Sequence, residues 1–431
     1  MRRISEDCAQ HRRRDAKATP AQLIRAMTAQ SLSGDDSLGF HLRLMTGLRI
    51  SDSAVIAHRA SLSWEFYTKL LARVLRPLAT PHAQAESFYH GMRLQALDGS
   101  SWSLRNSAAV LALKRKRHAN QRGASAAFLK MGSAVLLEIG THQPLALACG
   151  TVELKQQEGE LTIARRTLCA LSQTEPGLLL MDRLYGCASF ILDVQDASAK
   201  QTQVLVRVRS NLKGKVVKVL SDGSALLQVS ASGKGATQGK RTLLVREVRA
   251  RVQRAGEKAV EVRLWTTLLD GKKHPASELV ALFTQRWEHE LFYRELKAHV
   301  AGSSLLKAHS EQTAQSELVG MILAASIVAQ QRVAAAQQVE LPPVRLSLLK
   351  IGRMLQSLSL VLHAGKGIMS EEQNAALTKR VLKLMAREAV IPPRKARRCK
   401  RGVRRAVSKW PVIRSRQKLD SSFAVTLLPH A

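Results

Sequence analysis

The stretch FTQRWEHELFYRELK (283–297) carries three glutamates, two arginines and a lysine among large apolar residues. If it forms one helix, each residue advances by about 100°, and one face then holds four of its residues within an arc of about 60°. These four are Phe283, Arg286, Glu290 and Lys297. Glu288 and Glu295 fall on the opposite side. We therefore predict that Glu290 is the acid with a chemical role, although an Arg and a Glu four residues apart are also ordinary partners on a helix surface.

Two aspartates follow apolar runs elsewhere in the chain. Asp98 and Gly99 end an apparent strand in MRLQALDGSSWSL, and Asp182 ends the run PGLLLMD before a predicted helix, YGCASFILDVQDAS. Acids at the carboxyl ends of strands are common active groups in α/β proteins. Three carboxylates can hold two Mg²⁺ ions, which prefer oxygen ligands and promote in-line phosphoryl transfer. We therefore predict that Asp98, Asp182 and Glu290 are catalytic and bind metal.

The charge of the chain points to a polyanionic partner. Lys and Arg number 67 against 33 acids, for a net charge of +34. Such an excess favours nucleic acid, with a ribosome-associated or membrane-surface protein as the alternative. The five cysteines include no C-x-x-C pair, which argues against a zinc site or a disulfide framework and fits a reduced, cytoplasmic compartment. The apolar run LVGMILAASIVAQQ is about fourteen residues long, too short to span a bilayer, and predicts a buried helix.

Four regions of different pattern surround these acids. Residues 1–85 are predicted to be helical, and SDSAVIAHR within them is either the second helix of a helix-turn-helix or part of a plain bundle. Residues 201–265 alternate and predict antiparallel strands with basic side chains on one face. Residues 276–390 are predicted to be helical. Residues 391–418 contain no acid and form either a phosphate-binding arm, which we favour, or a solvated one.

Taken together, these segments resemble the DDE transposases of bacterial insertion sequences, specifically the insertion-sequence-4 family. The family signature is Y-x2-R-x3-E-x6-K, and the chain matches its spacing with Phe283 in place of the tyrosine. LQALDGSSWSL resembles the segment of the first aspartate, and LLLMDRLYGCASF that of the second. VLVRVRSNL and the Val-rich stretch after it resemble the β insertion that this family carries between the second aspartate and the glutamate.

The resemblance implies an α/β fold with an RNase H-like catalytic core interrupted by the β insertion. The implied regions are a helical N-terminal region (1–85), the core (86–200 and 266–335), the β-strand insertion (201–265) and a helical C-terminal region with a basic tail (336–431). It also implies that Arg286 and Lys297 hold DNA phosphates. Phe283 lacks the hydroxyl with which the family's tyrosine contacts a hairpin phosphate. For Trp265 and Trp287 we predict core packing, with stacking on a flipped base as the alternative.

The function implied by the resemblance is transposition. The protein would bind the terminal inverted repeats of an insertion sequence, cleave the DNA and transfer the strand, using two Mg²⁺ ions or Mn²⁺. Its partners would be double-stranded DNA at the transposon ends and the target, and a second copy in a homodimer, in the cytoplasm and on the nucleoid, without a membrane. The alternatives are a degenerate or domesticated relative that binds DNA without cutting, a hydrolytic nuclease on the same core, and a basic RNA-binding structural protein.

Overall fold

The computed structural model of the protein shows two compact units, both built from discontinuous segments. It describes residues 18–33, 36–112, 128–150, 158–231, 241–254, 259–300, 302, 305–392 and 423–428. The first unit comprises residues 1–179, 193–202 and 286–390, and the second comprises residues 180–192, 203–285 and 391–431. Both strands and helices are present, so the predicted α/β class is confirmed at that level.

The helices and strands of the described residues are numbered here in chain order. The helices are α1 (Pro20–Ser33), α2 (Leu38–Thr46), α3 (Asp52–Ala60), α4 (Trp64–Val74), α5 (Ala108–Leu111), α6 (Glu160–Arg165), α7 (Ala188–Ala197), α8 (Ala276–Phe283), α9 (Trp287–Glu295), α10 (Glu311–Gln337), α11 (Leu348–Ala364) and α12 (Glu371–Glu388). The strands are β1 (Phe88–Tyr89), β2 (Met92–Ser103), β3 (Lys130–Glu138), β4 (Gln143–Cys149), β5 (Gly177–Met181), β6 (Thr202–Arg207), β7 (Lys215–Val219), β8 (Ala225–Ala231), β9 (Arg241–Arg254), β10 (Val260–Thr266) and β11 (Phe423–Leu427).

The sheet of the first unit has β2 as its longest strand. Its order is β4–β3–β2–β5, with the short β1 also paired to β2. The β2–β3 and β3–β4 pairs are antiparallel, and Asp98 lies opposite Val135. The prediction that the strand ends at Asp98 and Gly99 was wrong, because β2 continues to Ser103 and every residue of this extension has a partner on β3.

The strand β5 runs in the same direction as β2, because both begin at the same end of the sheet. The amide of Arg93 donates to the carbonyl of Pro176 at 3.0 Å, at the beginning of both strands. The amide of Gly177 in turn donates to the carbonyl of Gln201 at 3.1 Å, just before β6. The predicted strand before Asp182 and the predicted helix after it are confirmed as β5 and α7.

Serine side chains cap three of the N-terminal helices. The side chains of Ser37, Ser51 and Ser63 accept hydrogen bonds from backbone amides in the first turns of α2, α3 and α4, respectively. Such caps satisfy amides that have no partner within the helix. The helical prediction for this region is therefore confirmed over most of residues 20–74, whereas residues 1–17 lie outside the described ranges.

The helix α10 forms the centre of the first unit. It is 27 residues long, starts with a capping box between Ser310 and Thr313, and packs against α1, α11, α12 and β4. Its length and apolar composition are sufficient for a membrane span, but most of its apolar part is buried within the unit. The predicted buried helix is therefore confirmed, although α10 is about twice as long as the apolar run indicated. Its side chains join those of β2, β3 and α9 in one hydrophobic core.

The second unit is dominated by antiparallel strands. Their order is β6–β10–β9–β8–β7, and β11 pairs with residues 250–254 of β9, beyond the part of β9 that pairs with β8. A tight turn at Gly223, whose φ is +79°, joins β7 to β8. The predicted run of antiparallel strands is confirmed, whereas β11 was not predicted. The predicted basic arm lies outside the described residues, apart from residues 391 and 392.

Candidate active site

Asp98 and Glu290 are held by one arginine in the first unit. Nη2 of Arg286 donates to Oε1 of Glu290 at 2.7 Å, and Nη1 of Arg286 lies 3.7 Å from Oδ2 of Asp98. The backbone amide of Gly99 donates to Oδ1 of Asp98 at 2.9 Å. Two of the three predicted acids therefore lie on either side of a single guanidinium group, which balances much of their charge.

The helix α9 is fixed on the sheet next to Asp98 by two buried side chains. The hydroxyl of Tyr293 donates to the backbone carbonyl of Asp98 at 3.1 Å, and Nε2 of His289 lies 2.8 Å from the carbonyl of Val135. Burial lowers the pKa of His289 to about 4, so its ring is neutral and Nε2 donates. Burial, and then the charge of Asp98, raise the pKa of Tyr293. These contacts join α9 to β2 and β3, at the position where Asp98 and Val135 pair.

Lys297 lies further along the same strand. Its Nζ donates to the carbonyl of Ser101 at 3.1 Å and lies 5.0 Å from the centre of the Trp102 ring. Burial, and then the charge of Lys130, lower the pKa of Lys297. Trp102 is buried and donates from Nε1 to the hydroxyl of Ser133 at 2.9 Å. Arg286 and Lys297 therefore both contact β2, and Glu290 contacts Arg286, in agreement with the shared face that their spacing predicted.

The stretch 283–297 is nevertheless not one continuous α-helix. The helix α8 ends at Phe283, a 3-10 turn covers residues 284–286, and a π-helical segment follows α9 at residues 296–300. The prediction of an uninterrupted helix was therefore wrong in detail. The interruptions fall on both sides of Glu290, and π segments occur frequently at functional sites.

Asp182 and Phe283 belong to the second unit. Asp182 directly follows β5, where its carbonyl accepts from the amide of Tyr185 at 3.0 Å, and Phe283 is the last residue of α8. The meeting of Asp182 with Asp98 and Glu290 therefore stays a prediction. Within the described ranges, no group of three or more His, Cys, Asp and Glu side chains is arranged to hold a metal ion. The donor type fits Mg²⁺, since Asp98 and Glu290 offer partly exposed carboxylate oxygens.

The other two glutamates of the stretch make contacts on the far side of α9. Oε2 of Glu288 lies 3.0 Å from Nε2 of His142, and Oε2 of Glu295 lies 2.8 Å from Nδ1 of the same ring. Arg332 of α10 donates to both oxygens of Glu295 at 3.2 Å. The helical periodicity correctly separated these two acids from Glu290, but it gave no indication of His142 or Arg332.

Two tryptophans and Gly99 test further predictions made from the sequence. Trp265 is buried and donates from Nε1 to Glu247 at 3.0 Å, which confirms its predicted core packing. Trp287 is 43% exposed, so core packing was the wrong prediction for it. Gly99 lies within a strand and not at its end, and a side chain there would collide with the carboxyl group of Glu160. Its glycine therefore leaves room for an acid of α6.

Comparison with known proteins adds a family and two similar proteins. Residues 89–327, which include all three predicted acids, match the family model described as the transposase DDE domain. The chain is 27% identical over 296 residues to the transposase InsG of insertion sequence element IS4 from Escherichia coli (strain K12), a match that covers 68% of this chain. The same match covers 63% of the relative, so the chain spans less than two thirds of its length. A solved structure of the piggyBac transposase in a synaptic complex with hairpin DNA has a TM-score of 0.46 and 11% identity, over 88% of this chain and 80% of its own.

Proposed function

The chain belongs to the transposase DDE domain family, as its motifs predicted, and on that premise we propose that it cuts and joins DNA as a transposase. It binds the terminal inverted repeats of an insertion sequence and hydrolyses a phosphodiester at each end. The freed 3′-hydroxyl then attacks a phosphodiester of the target, where a new P–O bond forms as the target's own 3′-oxygen leaves. The main observation in support of this proposal is that Asp98 and Glu290 lie on either side of Arg286. These two acids are far apart in the sequence, yet both contact the same guanidinium group, which supports the proposal.

We propose that Asp182 is the third acid of the site. Asp98, Asp182 and Glu290 would hold two Mg²⁺ ions, or Mn²⁺ in their place. When bound, the ions supply Lewis acidity at the phosphate and lower the pKa of the attacking water or hydroxyl. Arg286 and Lys297 bind the phosphates beside the cut, and both already face β2. Phe283 offers no hydroxyl, so the hairpin contact of the family's tyrosine is absent at that position.

We propose that the sheet of the first unit belongs to an RNase H-like core. The strand order β4–β3–β2–β5, with antiparallel pairs on one side of β2 and a parallel neighbour on the other, supports this assignment. The first aspartate then lies on the central strand and the second directly after its parallel neighbour. The proposed domains remain the helical N-terminal region (1–85), the core (86–200 and 266–335), the β insertion (201–265) and the C-terminal region (336–431).

DNA and a second protein copy are the proposed partners. The net charge of +34 supports a polyanionic partner, because neutralised phosphates release their counterions on binding. A homodimer would hold both ends of the element at once. The helices α2 and α3 are candidates for reading the terminal repeat, with the alternative of a plain bundle left open.

The test is a cleavage and joining assay with a labelled terminal-repeat duplex, a supercoiled target and Mg²⁺. Wild type is compared with the variants Asp98→Asn, Asp182→Ala and Glu290→Gln. Glu372→Gln, which removes an exposed acid from the first turn of α12, is the matched control. We expect wild type and the control to give nicked and joined products, and each of the three variants to give neither.

The other outcomes separate the alternatives. Cleavage without joined products would indicate a hydrolytic nuclease. Specific binding without cleavage would indicate a relative that binds DNA but no longer cuts. Equal activity of wild type and the Asp182→Ala variant would refute the assignment of the third acid, whatever the activity of the other two variants.

A further inference from the structure

Four charged side chains form a buried network on the side of α9 that faces away from Asp98. It consists of Glu288 and Glu295 of α9, His142 of the turn between β3 and β4, and Arg332 of α10. The side chains of His142 and Arg332 are only 2% and 1% exposed. All four lie in the first unit, and none belongs to the proposed metal site.

The network pairs two cationic side chains, His142 and Arg332, with two carboxylates. Both ring nitrogens of His142 lie within 3.0 Å of a carboxylate oxygen, so each has to carry a hydrogen and the ring is an imidazolium. Burial and the charge of Arg332 would lower the pKa of His142, but the charge of Glu295 and the hydrogen bonds to Glu288 and Glu295 outweigh them and raise the pKa above its ordinary value. Burial would likewise raise the pKa of Glu295, whereas Arg332 and His142 lower it to about 2.

The network fixes the rotation of α9 about its own axis. Glu288 and Glu295 are two helical turns apart and therefore point to the same side, while Glu290 points to the other. The two anchors lie on the turn between β3 and β4 and on α10. Arg332 also donates to the carbonyl of Leu346, at 2.8 Å from Nη2 and 3.1 Å from Nε. A rotation of α9 that moved Glu290 away from Asp98 would break contacts at both ends of the network.

We propose that His142 is a positioning residue, which with Arg332 holds α9 so that Glu290 stays on the same side as Asp98, where the two carboxylates would bind a metal ion. This inference rests on the proposed function. It predicts a defect in metal geometry, not only in stability. Mg²⁺ demands near-ideal octahedral geometry. A misplaced Glu290 should therefore impair cleavage with Mg²⁺ more than cleavage with the geometrically more tolerant Mn²⁺.

The experiment compares His142→Gln with wild type in cleavage rate, in DNA affinity and in Mn²⁺ binding without DNA. Residues that orient metal ligands typically change metal affinity or activity by about 10- to 100-fold. We expect the Mg²⁺-supported rate of the His142→Gln variant to fall within that range, its Mn²⁺-supported rate to fall much less, and its DNA affinity to stay at the wild-type value. Mn²⁺ binding measured by calorimetry should weaken.

Leu71→Ala is the matched control. It removes a buried apolar side chain from α4 in the core of the first unit, and none of the four residues of the network lies on that helix. We expect this variant to melt at a lower temperature while keeping the wild-type ratio of Mg²⁺- to Mn²⁺-supported rates. If the His142→Gln variant does not fold, Glu288→Gln serves the same test, because Glu288 is half-buried and its loss leaves the bonds between Glu295 and Arg332 intact.

Three results would overturn the proposal. Equal losses with both metals in the His142→Gln and Glu288→Gln variants would reduce the network to a stabilising role. Unchanged rates would have the same consequence. If wild type cleaves no DNA, the proposed function fails, and the role of His142 is decided by Mn²⁺ binding alone. Weaker Mn²⁺ binding by the variants than by wild type would support a positioning role. Equal binding by variants and wild type, or no binding by any of them, would overturn it.

Discussion

Replacing Arg286 by glutamine should strengthen binding of a divalent cation in the absence of DNA. In the structure, the guanidinium of Arg286 lies 2.7 Å from Glu290 and 3.7 Å from Asp98, where it neutralises the two carboxylates and repels an incoming cation. A metal ion that binds both acids has to displace these contacts. Removing the guanidinium removes that competition.

The magnitude follows from the exposure of the pairs. The side chains of Glu290 and Asp98 are 37% and 21% exposed, so solvent screens both interactions. Each such pair is worth about 0.2–1 kcal/mol, or about 0.4–2 kcal/mol for the two. Since 1.4 kcal/mol corresponds to a factor of ten, the Arg286→Gln variant should bind the ion about 2- to 30-fold more tightly.

The assay is calorimetric titration of the free protein with Mn²⁺. Arg294→Gln is the control, because it removes the same charge at an exposed position of α9, the helix that directly follows Arg286. Affinity equal to or below that of wild type in the Arg286→Gln variant would refute the reasoning. An equal increase in the Arg294→Gln variant would attribute the effect to net charge. DNA cleavage by the Arg286→Gln variant should be slower than wild type, because a phosphate contact is lost.

The remaining predictions concern catalysis, stability and pH. Asp182→Ala should abolish cleavage but keep the affinity for a terminal-repeat duplex, as a gel-shift assay would show; weakened binding would instead make Asp182 a folding residue. Arg246 is fully buried and donates to the hydroxyl of Ser224 at 2.8 Å and to the carbonyl of His274 at 2.6 Å, so Arg246→Met leaves these buried groups unpaired. The free energy of unfolding, measured in urea, should fall by about 3–5 kcal/mol in this variant and by less than about 1 kcal/mol in the exposed Arg251→Met control. The raised pKa of His142 implies a stabilisation that is complete below its ordinary value of 6.5 and lost as the pH rises through the folded-state pKa. The lowered pKa of Glu295 implies one that is complete above 4.5 and lost as the pH falls towards about 2. Unfolding free energies measured across this range should show both declines in wild type and no alkaline decline in the His142→Gln variant.

Sequence patterns predicted the elements whose signals are local. Alternation identified β6 to β10, and the apolar run before Asp182 identified β5 and the helix after it. The spacing of Arg286, Glu290 and Lys297 correctly placed their side chains on one face, despite the interruptions on either side of α9. These features depend on neighbours within one or two helical turns or strand repeats, which the sequence shows directly.

The failures have a common cause in long-range partners. GSS after Asp98 has the composition of a turn, but pairing with β3 keeps residues 98–103 in the strand, as tertiary context commonly overrides local preference. The partners of Glu288 and Glu295 at His142 are 146 and 153 residues away along the chain, a separation that no spacing rule covers. The exposure of Trp287 likewise depends on which parts of the chain happen to pack beside it.

The first unit combines segments from early and late parts of the chain, so it cannot complete its folding until the late segment has been synthesised. The helix α1 packs against α10 so closely that a side chain at Gly320 would come within 3.1 Å of the carbonyl of Met27. During synthesis, α1 emerges almost 300 residues before α10, against which it packs. A polypeptide released before α10 is complete would keep the apolar side of α1 in water, and we expect it to be cleared or to aggregate. Shortened products of this reading frame should consequently leave few folded fragments able to compete for DNA.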